Sequence, residues 1–93
     1  MPVVAWLSQK SYRPLGRHLA DLRRQAGVTQ DELASRLRKP QPFVSAYENG
    51  QRRVDLLEFL AITDALAQEP VQAFTALLQA VRGPSRAARR TSS

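Results

Sequence analysis

Few side chains in this 93-residue chain are equipped for covalent or redox chemistry. It has a single histidine, His18, and no cysteine, so neither a Cys/His metal set nor a thiolate nucleophile can be assembled. Ser45 has no base to activate it. Asp31-Glu32 sit where a helix begins, and there they serve the cap and the helix dipole rather than acid–base work. No catalytic constellation results: the residues imply no enzyme, no metal and no cofactor. What remains is hydrogen-bond and charge chemistry between positions 29 and 53. It comprises the amides of Gln30, Gln41 and Asn49, the hydroxyls of Thr29 and Ser45, and the cations Lys39, Arg52 and Arg53. An amide presents a donor and an acceptor side by side, which suits it to reading a matched polar edge.

The elements that position these groups are legible from periodicity. From Pro14, Leu15, Leu19, Leu22 and Ala26 recur on one stripe of a 3.6-residue period. Proline suits the start of this first helix, and Gly27 suits the left-handed residue just past its end. Thr29-Gln30-Asp31-Glu32 is a capping box that opens a second helix, which presents Leu33, Ala34 and Leu37 and stops near Arg38. Pro40 and Pro42 bracket the start of a third helix of about two turns, where first-turn N–H groups lack intrahelical partners anyway. Phe43, Val44 and Tyr47 face inward from it, and Asn49-Gly50 ends it. Asp55 and Glu58 repeat the box pattern and open a fourth helix to about Ala67, with Phe59, Ile62, Thr63 and Leu66 on one stripe. Leu57, Leu60 and Ala61 make that helix more apolar than a simple surface helix needs. A fifth helix from Pro70 to about Val81 carries Val71, Phe74, Leu77, Leu78 and Val81, and is expected to pack on the Leu60 side. No strand-period segment and no repeat is present. The expected fold is all-α with five helices.

The joint spacing of Thr29-Gln30, Leu33-Ala34, Val44, Ser45-x-x-Glu48-Asn49-Gly50 and Ala65-Leu66 resembles the Cro/cI-like, or XRE, helix-turn-helix family. The resemblance runs from about Leu15 to Leu78. It implies a lambda-repressor-like domain whose helix-turn-helix is formed by helices two and three. Ala34 then lies where those helices cross closely, and Val44 fills the gap from the other side. Family members often carry glycine in the turn; here Arg38 stands there, at a cost of roughly 1 kcal/mol for a left-handed non-glycine residue.

In that architecture the third helix enters the major groove N-terminus first. The resemblance therefore assigns base contacts to Gln41, Pro42, Ser45 and Ala46. Gln41 is the best reader, able to donate to N7 and accept from the N6 amino group of adenine. Many relatives have a long polar or basic residue where Ala46 stands. With no Lys or Arg facing the groove, affinity must come from the backbone contacts assigned to Thr29, Gln30, Lys39, Asn49, Arg52 and Arg53. Arg23 and Glu48 are assigned to a partly buried ion pair tying the first helix to the third.

Composition is consistent with a polyanionic partner. Net charge is +6 and the pI about 11.1. Arg86, Arg89 and Arg90 belong to an acid-free tail; setting them aside leaves 11 of the 14 basic residues against 8 acidic ones, a mildly basic body. The chain divides into an arm (1–13), the helix-turn-helix domain (14–81) and a basic disordered tail (82–93). Val3, Val4, Ala5, Trp6 and Leu7 are too few to span a membrane and lack a basic leader, and with the absence of cysteine a cytoplasmic location is expected. The arm is expected to cover the spare face of the fourth helix, with a dimer contact or disorder as the alternatives, and Leu77 and Val81 to emerge at a two-fold interface. The leading expectation is a sequence-specific double-stranded-DNA-binding transcriptional regulator, a repressor and homodimer. The alternative is an antitoxin that binds a toxin protein and represses its own operon. A protein-interaction module without DNA binding is the third reading, suggested by Ala46.

Overall fold

A computed structural model describes residues 12–82. They form five α-helices and no strand: α1 (Tyr12–Gln25), α2 (Gln30–Leu37), α3 (Gln41–Glu48), α4 (Leu56–Ala65) and α5 (Pro70–Arg82). The expected Trp6 contact and the arginines of the tail lie outside the described residues. α1 begins at Tyr12, so Pro14 is third in the helix rather than first; its missing N–H still falls in the unpaired first turn. His18 is half-buried, with Nε2 3.4 Å from the Ala73 carbonyl.

One core joins all five helices. Leu19, Leu33, Val44, Tyr47 and Ile62 are fully enclosed, and Leu22, Val28, Ala34, Phe59, Leu66 and Ala73 complete the cluster. α1 packs on α3 and α5, α2 on α3 and α4, and α4 on α5. The α1–α3 contact is unusually close. A Cβ added to Gly16 would collide with the Tyr47 carbonyl oxygen and lie 2.6 Å from that of Glu48. Glycine in mid-helix costs up to about 1 kcal/mol relative to alanine; here it lets α1 rest on the last turn of α3.

The first four helices end the same way. Gly27, Arg38, Gly50 and Ala67 are all left-handed, with φ of 71°, 56°, 75° and 54°. In each case the following residue donates its N–H back to the helix: Val28 to Arg23, Lys39 to Ala34, Gln51 to Ala46 and Gln68 to Thr63, at 2.8–3.1 Å. This closure satisfies carbonyls that the helix leaves unpaired. The expected left-handed Arg38 is therefore observed, and Ala67, expected at the end of the fourth helix, lies just beyond it in the same conformation.

The fifth helix departs from expectation. Ala73 is its buried residue and Leu77 packs against the core, whereas Val71 is 70% exposed and Phe74 and Leu78 are also exposed. Leu60, the expected partner surface, is exposed together with Leu56 and Leu57. The reason is that α5 serves two neighbours. Contact with α1 as well as α4 turns its small Ala73 side inward, and Phe74 reaches Phe59 only edge-on, at 5.9 Å between ring centres.

Candidate nucleic-acid interface

The corner between α2 and α3 is fixed at both ends. Thr29 Oγ1 accepts the Glu32 N–H at 3.1 Å, and a Glu32 carboxylate oxygen accepts the Thr29 N–H at 3.1 Å. The hydrogen bonds from Thr29, its backbone first and its side chain second, hold the Glu32 carboxyl below its ordinary range. They also commit the Thr29 hydroxyl to the cap. At the other end the left-handed Arg38 turns the chain into Pro40, and α3 begins at Gln41.

α3 buries Val44, Tyr47 and Glu48. Phe43 is half-buried, edge-on to Tyr47 with ring centres 5.7 Å apart. That leaves Gln41, Pro42, Ser45, Ala46 and Asn49 on the opposite side: Pro42 and Asn49 are exposed, and Gln41, Ser45 and Ala46 partly so. The helical period thus sorts the four expected base-reading residues onto one accessible face.

A chain of hydrogen bonds leads from the core to that face. Arg23 donates through Nε to Glu48 Oε2 at 2.7 Å, through Nη2 to Glu48 Oε1 at 3.1 Å, and through Nη1 to the Val28 carbonyl at 2.9 Å. Both partners of this ion pair are buried. Gln30 Nε2 donates to Glu48 Oε1 at 2.8 Å, and Gln41 Nε2 donates to Gln30 Oε1 at 2.7 Å. The Gln41 amide is thereby held in one orientation, with its carbonyl oxygen and second N–H left over. One acceptor and one donor, adjacent and fixed, are what an adenine edge pairs with. The Arg23–Glu48 pair is where it was expected. The Gln30–Gln41 bond was not anticipated; its only trace in the sequence is a glutamine at the start of each helix.

The cations of the flank divide into two kinds. Arg52 forms a fork with Glu58, at 3.0 and 2.8 Å, and its guanidinium lies 4.4 Å over the Phe43 ring. Glu58 is also the reciprocal partner in the α4 cap, with Glu58 N–H to Asp55 at 2.7 Å and Asp55 N–H to Glu58 at 3.0 Å. Its carboxyl is held below the ordinary range by Arg52 first and the Asp55 backbone second. Arg52 therefore joins the loop after α3 to the start of α4. Arg53 and Lys39 are exposed, form no ion pair with any described residue, and lie over the rings of Tyr12 and Phe43 respectively, each at 5.6 Å. Among the described residues no group of three or more His, Asp or Glu side chains is placed to hold a metal ion.

Comparison with known proteins agrees with the helix-turn-helix fold. Residues 14–88 match the family profile described as a helix-turn-helix domain. An XRE-family-like protein from Pseudomonas syringae pv. tomato is 40% identical over 73% of this chain and 83% of its own, with a TM-score of 0.66. The restriction-modification controller protein C.AhdI from Aeromonas hydrophila is 32% identical over 71% of this chain and 96% of its own, again with a TM-score of 0.66. The clp gene regulator ClgR from C. glutamicum shares the fold at 23% identity, with a TM-score of 0.67 over 83% of this chain and 91% of its own. No curated protein matches at the sequence level.

Proposed function

We propose, because this chain belongs to the XRE-like helix-turn-helix family of DNA-binding regulators, that it recognises a specific duplex sequence with α3 in the major groove. The observation that carries this is the hydrogen-bonded chain from Arg23 through Glu48 and Gln30 to Gln41. A side chain immobilised before contact loses less entropy on binding than one ordered by the DNA. Gln41 reads a base, Ser45 bonds a neighbour, and Pro42 and Ala46 give apolar contact, for example to a thymine methyl. Gln30, Lys39, Asn49 and Arg53 face backbone phosphates. Thr29 contributes through its cap, and Arg52 through any N–H not used on Glu58.

Repression is the regulatory mode that asks least of these residues, since an occupied promoter excludes polymerase without a further contact. The protein acts as a homodimer in the cytoplasm, its two copies meeting through the apolar surface of α4 and α5. No helix among the described residues is long and apolar enough to cross a membrane. The antitoxin reading uses the same apolar surface, covered by a toxin instead of a second copy. A monomer that dimerises only weakly and co-purifies with a second small protein would favour it.

The test is selection of bound sequences from a random duplex pool, followed by titration at several salt concentrations. Enrichment of inverted half-sites with centres about 10 bp apart, or a multiple of that, is expected for a two-fold dimer. No enrichment at low salt would sink the proposal.

A further inference from the structure

α1 places Arg13, Arg17, Asp21 and Arg24 at i, i+4, i+8 and i+11, on one exposed stripe. With the buried Ala20 as floor, these side chains form one wall of an open cleft of about 450 Å³. Its other wall is Gln30, Glu48 and Asn49. The acids in it are already matched. Asp21 accepts from Arg24 at 3.4 Å, and Glu48 accepts from Arg23 and Gln30. Arg13 and Arg17 form no ion pair with any described residue. The cleft therefore carries net positive charge, concentrated on its α1 wall.

The position of that wall is fixed relative to α3. The backbone of Arg13 lies against Gly50, where an added Cβ would come within 3.1 Å of the Arg13 Cα, and Gly16 lies against the carbonyls of Tyr47 and Glu48. The arginines are thus in register with the helix that carries Gln41 rather than on a loose loop. The opposite wall shares Gln30 with the recognition network and Asn49 with the end of α3. Side chains four residues apart on a helix are separated by about 6 Å along its axis, a spacing on which two guanidinium forks can take successive phosphates of one strand.

We propose that this cleft is a second phosphodiester site: Arg13 and Arg17 grip backbone phosphates that flank the half-site read by α3, so that α1 extends the footprint outward. The proposal rests on the DNA-binding reading above and adds residues and a strand position to it. Arg24 is the reserve cation, released when Asp21 is neutralised.

The experiment uses the full chain and a duplex recovered by the selection, with affinity measured across a salt series and phosphate contacts mapped by ethylation interference. Each phosphate contact adds about 0.9 to the log–log salt slope. Arg13→Gln with Arg17→Gln is expected to reduce the slope by about 1.8, to abolish interference at phosphates outside the half-site, and to leave the cognate-to-mismatch ratio within about twofold. Arg13→Lys with Arg17→Lys is expected to keep the slope, and Asp21→Asn to steepen it. An unchanged slope and an unchanged ethylation pattern in the glutamine variant would overturn the cleft while DNA binding by α3 stands. A collapsed cognate-to-mismatch ratio would also overturn it, since the arginines would then be supporting α3. If the unaltered protein binds no duplex, the DNA-binding reading itself fails and the cleft with it.

Discussion

The face built by α2 and α3 and the face left by α4 and α5 are both solvent-accessible, and they are made by opposite rules. On the first, partly exposed side chains are tied to one another and, through Glu48, to a buried arginine. On the second, Leu56, Leu57, Leu60, Val71, Phe74 and Leu78 are exposed large apolar side chains. The difference follows from what each surface is proposed to do. Distinguishing one base pair from another depends on the direction of two hydrogen bonds, so the reader must be fixed in place. Joining two protein surfaces by apolar burial is non-directional and scales with area, so a patch of leucines suffices. Order within the first face and area on the second are the two things to perturb.

Glu48→Ala should have the largest effect. Removing one member of a buried ion pair leaves the other uncompensated, at a cost of about 3–5 kcal/mol, readable as a lower denaturation midpoint. Because Gln30 also loses its anchor, sequence selectivity should fall in whatever protein remains folded at low temperature. Selectivity that survives intact would mean the network is scaffold only, and the contrast between the faces would disappear. On the apolar side, Val71→Glu with Leu78→Glu should raise the dissociation constant of the proposed dimer about 100-fold, or about 2.7 kcal/mol. Sedimentation equilibrium measures it; an unchanged constant would place the two-fold contact elsewhere. Gln41→Ala should leave folding unaffected and reduce discrimination at one position of each half-site by about 1–3 kcal/mol, seen by competition with single-base variants of the operator. The smallest change concerns the corner itself. Arg38→Gly should stabilise the protein by roughly 1 kcal/mol by relieving a left-handed non-glycine residue, whereas Gly27→Ala should lose a similar amount; equal melting temperatures for both would refute that account of the turn.

How far the sequence could be read depended on the range of the interaction. Both capping boxes and the outward side of α3 were legible because each involves residues a few positions apart, whereas the left-handed Arg38 came with the family resemblance. The family resemblance added the Arg23–Glu48 pair, a contact between residues 25 positions apart. Arg52 was assigned the same phosphate role as Arg53, and only the folded loop reveals Glu58 and Phe43 as its partners. Gly16 carries no signal in the sequence, because a glycine within an otherwise regular helix is uninformative until the backbone it approaches is known. The arginine stripe of α1 could have been found by its spacing; what conceals it in the sequence is that the opposite wall comes from α2 and the end of α3.

The amino-acid order alone settled where the five helices begin and end to within a few residues, and which side of α3 looks outward, since capping and periodicity are local. Tertiary packing decided which side of α5 turns inward, that Gln30 aims Gln41, and that the arginines of α1 border the same corner. Those outcomes depend on how closely helices approach one another. That distance is set by side-chain volumes, and by a glycine, brought together from distant parts of the chain.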